Sequence, residues 1–242
     1  MCESLWKEMR EGRLPDIGCD KCQNGYIRHS KPDGHLGFVF EECACLVEYE
    51  SLKETISLWK QSNIGGKLIT RYKFEDWDEP EQEGLTFDTL LSLIDAEEGR
   101  NWLFLYGGTG SGKTYSAIIA AQIAMLREKS VFFVNTAELL DGLRPGSEND
   151  EMSLRDIYMA KAKKSDVLIL DDIGHEKSSE WVREKLFLIV NDRWNKGKMT
   201  IFTSNYDLER VKTSVSPAVY SRIKGESLEI NLSTRQDRRI IE

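Results

Sequence analysis

The sequence predicts an α/β protein in which a parallel sheet is covered by helices, preceded by a small cysteine-rich module. Two observations lead to this prediction. From residue 102 onward, short apolar runs alternate with helical patterns, and strand–helix alternation is typical of a parallel sheet with helices on both faces. All five cysteines lie within the first 45 residues, so the beginning of the chain differs in chemistry from the rest.

The first element is the cysteine-rich module. Four of its cysteines form two closely spaced pairs, separated by 20 residues: Cys19 and Cys22, then Cys43 and Cys45. This spacing is close to that of zinc ribbons, and four soft thiolates favour Zn²⁺ or an iron–sulfur centre over hard cations. We predict that these four residues bind zinc, with unliganded thiols in a reducing compartment as the alternative.

The elements that follow are assigned from apolar periodicity. A helical pattern at 47–59 precedes residues 61–70, where the run Ser62-Asn63-Ile64-Gly65-Gly66 disfavours a helix. We therefore assign 61–70 to a linker. An acidic run at 75–98, without Lys or Arg, contains a second amphipathic helix. The remaining pattern comprises strands at 102–106, 131–134, 167–170, 199–203 and 228–232, and helices at 117–126, 152–162 and 181–194.

Composition limits the class of protein. At about 150 residues per domain, 242 residues allow one full domain and an appendage. The longest nearly apolar stretch, 117–126, is half as long as a bilayer span of about 20 residues. Charged residues follow Met1 where a secretory signal would be apolar, so we expect a cytoplasmic protein without a membrane segment. The net charge of −8 argues against a protein whose whole surface wraps a nucleic acid, although it is compatible with a local basic groove.

A glycine-rich segment directly follows the first predicted strand of the sheet and opens a helix. It reads Gly107-Gly108-Thr109-Gly110-Ser111-Gly112-Lys113-Thr114 and matches the phosphate-binding loop pattern. In such a loop the backbone N–H groups converge on phosphate oxygens at the N-terminus of a helix. We expect it to bind ATP, with Lys113 reaching the β- and γ-phosphates and Thr114 offering its hydroxyl to Mg²⁺.

Polar residues at the ends of two other strands can complete this site. Asp171 and Asp172 follow the apolar run 167–170, and Asn205 follows the strand at 199–203. If the first of these strands lies beside the loop strand, Asp171 can bind the magnesium and Asp172 can polarise the attacking water. Asn205 can orient that water; a cap or turn is the structural alternative for each of these residues.

Together, GGTGSGKT, VLILDDIG, TIFTSN and the run Tyr220-Ser221-Arg222-Ile223 resemble the AAA+ ATPases of the DnaC/DnaI helicase-loader group, which includes the IstB transposition helper proteins. The resemblance covers roughly residues 70 to 240. It implies that Asn205 is a sensor of the γ-phosphate and that Arg222 is an arginine finger for a neighbouring subunit. It also implies an arginine near the nucleotide at Arg238, with Arg239 and Arg235 close by. Arg193 fits either a structural role or a role in the site.

The same resemblance implies a division of labour along the chain. Residues 1–60 are expected to form a zinc-binding module that docks on a partner, and residues 71–242 the AAA+ ATPase domain. The implied function is ATP-dependent loading of the replicative hexameric DNA helicase onto single-stranded DNA, with self-association in the ATP state and hydrolysis at subunit interfaces. An IstB-like transposition ATPase and a nucleotide-gated binding module with little hydrolysis are the alternatives.

Overall fold

The computed structural model describes residues 26–30, 38–42, 44–74, 76–96, 100–144, 154–175 and 178–234. The chain divides into two units, Met1–Lys60 and Gln61–Glu242. The first unit contains an antiparallel hairpin followed by a long helix: β1 (Tyr26–Ser30), β2 (Phe38–Glu42) and α1 (Ala44–Gln61). Tyr26 pairs with Glu42, so the start of β1 and the end of β2 lie at the same end of the hairpin.

The second unit has the alternation of strands and helices expected from the sequence. Its elements are α2 (Gly66–Arg71), a 3₁₀ turn (Glu81–Glu83), α3 (Phe87–Asp95), β3 (Trp102–Tyr106), α4 (Lys113–Leu126), β4 (Val131–Asn135), α5 (Thr136–Gly142), α6 (Leu154–Lys164), β5 (Val167–Asp171), α7 (Glu180–Asn195), β6 (Met199–Ser204), α8 (Leu208–Val211), α9 (Pro217–Glu226) and β7 (Ser227–Asn231). Among the described residues, none of these helices is long and apolar enough to cross a membrane.

The five strands β3 to β7 form one parallel sheet in the order β4-β5-β6-β3-β7. The prediction of a parallel α/β sheet is therefore confirmed. From the sequence, the strand that ends in Asp171 was expected beside β3. This expectation is wrong, because β6 lies between β5 and β3. Helix α4 starts after β3 and packs across β6, β5 and β4, so its first turn crosses toward the end of β5.

The strands β3 to β6 are buried on both faces of the sheet. Phe104, Phe132, Leu168 and Phe202 belong to a core cluster that includes buried side chains of α5 to α9. The alternate strand residues are buried as well, since successive side chains of a strand point to opposite faces. Helix α4 packs on this sheet with eleven of its fourteen residues buried. This explains why its sequence is apolar in nearly every direction.

Residues 61–70 are part of the second unit and do not form the predicted linker. The Phe133 amide donates to the Ser62 carbonyl at 2.8 Å, and Asn63 Nδ2 donates to the Phe133 carbonyl at 3.0 Å. Asn63 turns the chain with a φ of 65°, a conformation that asparagine tolerates. The glycines that suggested a break instead begin a short helix, since α2 starts at Gly66 after an extended Gly65.

A fully buried arginine connects the first residues of β5 and β6. Arg193, 0% exposed on α7, uses all five of its N–H donors. They reach the Thr200 hydroxyl and four backbone carbonyls, those of Ala162, Ser165, Asp166 and Met199. Burial lowers the pKa of the Arg193 guanidinium to about 9. The structure therefore gives Arg193 a structural role, far along the strands from their carboxyl ends.

Candidate functional site

The glycine-rich loop 107–114 joins β3 to α4. Gly107, Gly110 and Gly112 have φ values of 151°, 78° and 96°, which side-chain-bearing residues rarely adopt. At Gly107 a Cβ would also lie 2.8 Å from the backbone carbon of Leu232. The sequence pattern therefore corresponds to a loop whose path depends on glycine at its first and last turns.

Lys113 is the first residue of α4, and its side chain folds back over the loop. Only 7% of Lys113 is exposed, and its Nζ donates to the carbonyl oxygens of Gly107 and Gly108 at 2.9 and 2.7 Å. The ammonium group is thus held inside the curve of the loop. This is where an anionic group bound by the backbone N–H groups of the loop would also lie.

Two further features of the loop concern a possible ligand. The buried Ser111 hydroxyl has no hydrogen-bond partner within the described residues, which is unusual for a buried polar group. Beside the loop lies a cavity of about 190 Å³, whose walls include Arg71, Tyr72 and Tyr115. The Tyr72 and Tyr115 rings are 4.8 Å apart, and the Tyr115 hydroxyl donates to the Lys73 carbonyl at 2.6 Å.

Thr114 and Asp171 meet at the carboxyl edge of the sheet. The Thr114 hydroxyl donates to Asp171 Oδ1 at 2.9 Å, and the Thr203 hydroxyl donates to the same oxygen at 2.7 Å. Burial raises the pKa of the Asp171 carboxyl, and Asp172 adds to the increase. The two hydroxyl donors and the charge of Lys113 act in the opposite direction. Two oxygen atoms suited to a hard cation therefore lie within hydrogen-bond distance of each other.

Asp172 follows in a conformation that is uncommon for a residue other than glycine. Its φ is 61°, and its amide donates to the Thr203 hydroxyl at 2.9 Å. Its carboxylate Oδ1 accepts a hydrogen bond from Asn205 Nδ2 at 3.0 Å and lies 3.4 Å from His175 Nε2. Such backbone conformations concentrate at functional sites, where the surrounding contacts maintain them.

The sequence analysis identified most of these residues but not the contacts among them. Thr203 was only noted as part of the strand end, yet its hydroxyl connects Asp171 to the Asp172 backbone. In the sequence, the indication that Thr203 belongs to the site was its position two residues before Asn205. His175 was missed, and its position four residues after Asp171 was the only indication in the sequence.

Arg222 lies on α9 and contacts α7 of its own chain. Its guanidinium donates to Asn191 Oδ1 at 2.6 Å and lies 4.9 Å from the centre of the Trp194 ring. The Phe187 ring is 5.4 Å away, and the buried Nε has no partner within the described part of the chain. The side chain thus belongs to a surface formed by α7 and α9 and makes no contact with the loop of its own chain.

The remaining predicted residues lie outside the described residues. These are Arg238 with its neighbours Arg235 and Arg239, and the cysteines Cys19, Cys22 and Cys43. Cys45 is the second residue of α1. Within the described residues, no cluster of three or more His, Cys, Asp or Glu side chains could hold a metal ion.

Comparison with known proteins identifies related chains. Residues 43–221 match the family model described as IstB-like ATP binding protein. The replicative helicase loader DnaI of Bacillus subtilis (strain 168) is 25% identical over 229 residues, which cover 92% of this chain and 71% of DnaI. The chain also matches DnaA chromosomal replication initiator proteins, but it spans less than half of their length.

Solved structures agree with the observed fold. A crystal structure of DnaI has a TM-score of 0.59 at 24% identity, covering 73% of this chain and 95% of that chain. A crystal structure of the DnaC helicase loader has a TM-score of 0.51 at 27% identity, covering 59% of this chain and 85% of that chain. The arrangement of β3 to β7 with their helices is therefore the α/β fold of these solved structures, with a parallel five-stranded sheet.

Proposed function

The chain belongs to the IstB-like ATP-binding protein family, and we propose that it is a magnesium-dependent ATPase that loads a replicative hexameric helicase onto single-stranded DNA. The observation that carries this proposal is the contact between Thr114 and Asp171 beside the glycine-rich loop. It joins the loop that would cradle the phosphates to a carboxylate from another strand. Both oxygens are of the kind that Mg²⁺ prefers.

The described residues fit ATP and Mg²⁺. Lys113 lies inside the loop, and the Ser111 hydroxyl next to it lacks a partner within the described residues. Thr114 and Asp171 would hold the ion, Asp171 directly or through water. When bound, Mg²⁺ would neutralise charge on the β- and γ-phosphates. The cavity at Arg71, Tyr72 and Tyr115 would receive the rest of the nucleotide.

Hydrolysis requires a base and a means of orienting water. We assign the base to Asp172, whose carboxylate would take the proton of the attacking water. Asn205 donates to that carboxylate and would orient the water and sense the γ-phosphate. Arg222 would act on the site of a neighbouring copy, because a planar cation at the transferred phosphoryl group stabilises developing charge. Arg238 would contact the nucleotide. Hydrolysis would then depend on self-association in the ATP state.

The loading function rests on the similarity to DnaI, which extends over 92% of this chain. In this proposal the two nucleotide states differ in their affinity for the helicase and for single-stranded DNA, and ATP hydrolysis releases the partners. Residues 1–60 would dock on the helicase, and residues 71–242 would bind and hydrolyse ATP.

Zinc is proposed for the first unit. The proposal rests on the spacing of the two cysteine pairs, Cys19 with Cys22 and Cys43 with Cys45. Metal analysis of the reduced, full-length protein is expected to give about one zinc ion per chain, as for a four-thiolate site. The Cys22→Ser and Cys43→Ser variants should lose it, whereas Cys2→Ser should retain it. Zinc retained in both pair variants would contradict the assignment.

The decisive experiment measures ATP turnover by the purified protein alone, with a hexameric helicase, and with helicase plus single-stranded DNA. We expect the complex of helicase and single-stranded DNA to stimulate ATP turnover by the wild type. We expect this stimulated turnover to be lost in Lys113→Ala. If the protein hydrolyses ATP but neither responds to the helicase nor co-elutes with it, the loading function is wrong and the ATPase assignment stands.

The family match favours a second candidate, an IstB-like transposition helper. Such a protein would act with a transposase on duplex DNA. Stimulation of turnover by duplex DNA and transposase, in place of helicase and single strands, would favour it.

A further inference from the structure

His175 lies next to the proposed base and has no part in the reaction described above. Its Nε2 is 2.9 Å from Asn205 Nδ2 and 3.4 Å from Asp172 Oδ1, while Asn205 Nδ2 is 3.0 Å from the same oxygen. The amide nitrogen therefore lies within hydrogen-bond distance of both an imidazole nitrogen and a carboxylate oxygen.

The chemistry of these three groups defines which atom donates. An amide NH₂ carries two donors and no acceptor, whereas an ionised carboxylate only accepts. Asn205 can thus donate one hydrogen to Asp172 and the other to His175, provided that His175 Nε2 is unprotonated and its proton is on Nδ1. In this arrangement His175 sets the orientation of the amide, because exchanging its nitrogen and oxygen would place the amide oxygen, an acceptor, against the acceptor atoms of both Asp172 and His175.

Packing holds His175 in this place. Its ring lies 4.9 Å from the Tyr206 ring at an interplanar angle of 35°. The backbone just before it is also anchored, since the Ser204 hydroxyl donates to the Ile173 carbonyl at 2.7 Å and Gly174 has a φ of 99°. A Cβ at Gly174 would lie 3.0 Å from Val211 Cγ2, so the chain runs close against α8. A side chain held this way can fix the geometry of its neighbours.

We propose that His175 is a positioning residue for ATP hydrolysis. It accepts a hydrogen bond from Asn205 and thereby holds the Asn205 amide and the Asp172 carboxylate in the orientation in which Asp172 receives the proton of the attacking water. The inference rests on the proposed ATPase activity and adds a residue to that site.

Two substitutions separate the acceptor from the ring. His175→Phe keeps a ring to stack on Tyr206 but removes the acceptor, whereas His175→Gln keeps an acceptor at similar reach and removes the ring. We expect His175→Phe to lower kcat by ~10-fold to ~100-fold, as losses of orienting partners commonly do, with KM and the affinity for a fluorescent ATP analogue unchanged. His175→Gln should recover most of the rate.

The measurements are steady-state turnover at varied ATP concentration, equilibrium binding of the analogue, and thermal unfolding of each variant. Wild-type kcat in His175→Phe, or equal losses in both variants, would overturn the proposal. His175→Gln tests it even where His175→Phe is unfolded, because a kcat ~10-fold or more below that of the wild type in folded His175→Gln also overturns it. A wild-type protein that binds the analogue without any turnover would instead refute the proposed ATPase.

Discussion

The buried arginine of α7 offers a quantitative test of how the sheet is held together. Arg193→Met removes five hydrogen bonds, four of them to backbone carbonyls, including those of Asp166 and Met199. Since these carbonyls lie where β5 and β6 begin, the substitution acts on the two strands whose other ends carry Asp171 and Asn205.

The expected magnitude follows from opposing contributions. Hydrogen bonds from a charged donor contribute about 1.5–3 kcal/mol each, so five of them stabilise strongly. The lowering of the Arg193 pKa to about 9 corresponds to a cost of about 5 kcal/mol for holding the charge in the interior. A buried acceptor that is left unsatisfied typically costs about 1–3 kcal/mol. We expect Arg193→Met to lower the free energy of unfolding by about 4 kcal/mol, a large part of a typical 5–15 kcal/mol.

Urea unfolding monitored by circular dichroism measures this difference. Arg193→Lys should also be destabilised, because lysine has three donors for the five acceptors. Lys196→Met, at the residue that follows α7, is the control, since its exposed pair with Asp192 contributes at most about 1 kcal/mol. A loss below about 1 kcal/mol in Arg193→Met, or an equal loss in Lys196→Met, would refute the reasoning.

Three further substitutions test the site. Asp171→Asn should abolish magnesium-dependent turnover but stabilise the nucleotide-free protein at neutral pH. Burial raises the folded-state pKa of Asp171 above 3.8, so the wild type loses stability as pH rises from 3.8 through that pKa. Urea unfolding of the wild type and of Asp171→Asn measures this loss. The same pH dependence of stability in both proteins would contradict the prediction. Thr203→Val should lower the free energy of unfolding by about 1–3 kcal/mol, because it leaves Asp171 without one donor and the Asp172 amide without its acceptor. Thr203→Ser keeps the hydroxyl and should not lower it. The same urea assay measures both variants. Arg222→Ala should bind ATP normally but lose ~10³-fold in turnover, and mixing it with Lys113→Ala should restore activity; no recovery on mixing would argue against action on a neighbouring copy.

The sequence was informative where the elements are long or apolar. The apolar runs that end at Tyr106 and Asp171 predicted their strands because no other element buries both faces of so short a segment. The short helices α2, α5 and α8 were missed, since four to seven residues carry too little periodicity. The loop pattern predicted the start of α4 better than the apolar run did, because the helix begins at Lys113, within the loop pattern itself.

Strand order was the step that local patterns could not supply. Apolar character shows that a strand is central but not which strands are its neighbours, so the Asp171 strand was expected beside the loop strand. In the structure β6 occupies that place, and Asp171 is reached instead by the first turn of α4.

The insertion of β6 between β5 and β3 also determines which groups contact the two carboxylates. It places Thr203 between the proposed metal carboxylate Asp171 and the backbone of Asp172, and brings Asn205 against the Asp172 side chain. The strand that the sequence analysis assigned only a sensing role therefore also supplies the hydrogen bonds that keep two adjacent carboxylates in usable orientations.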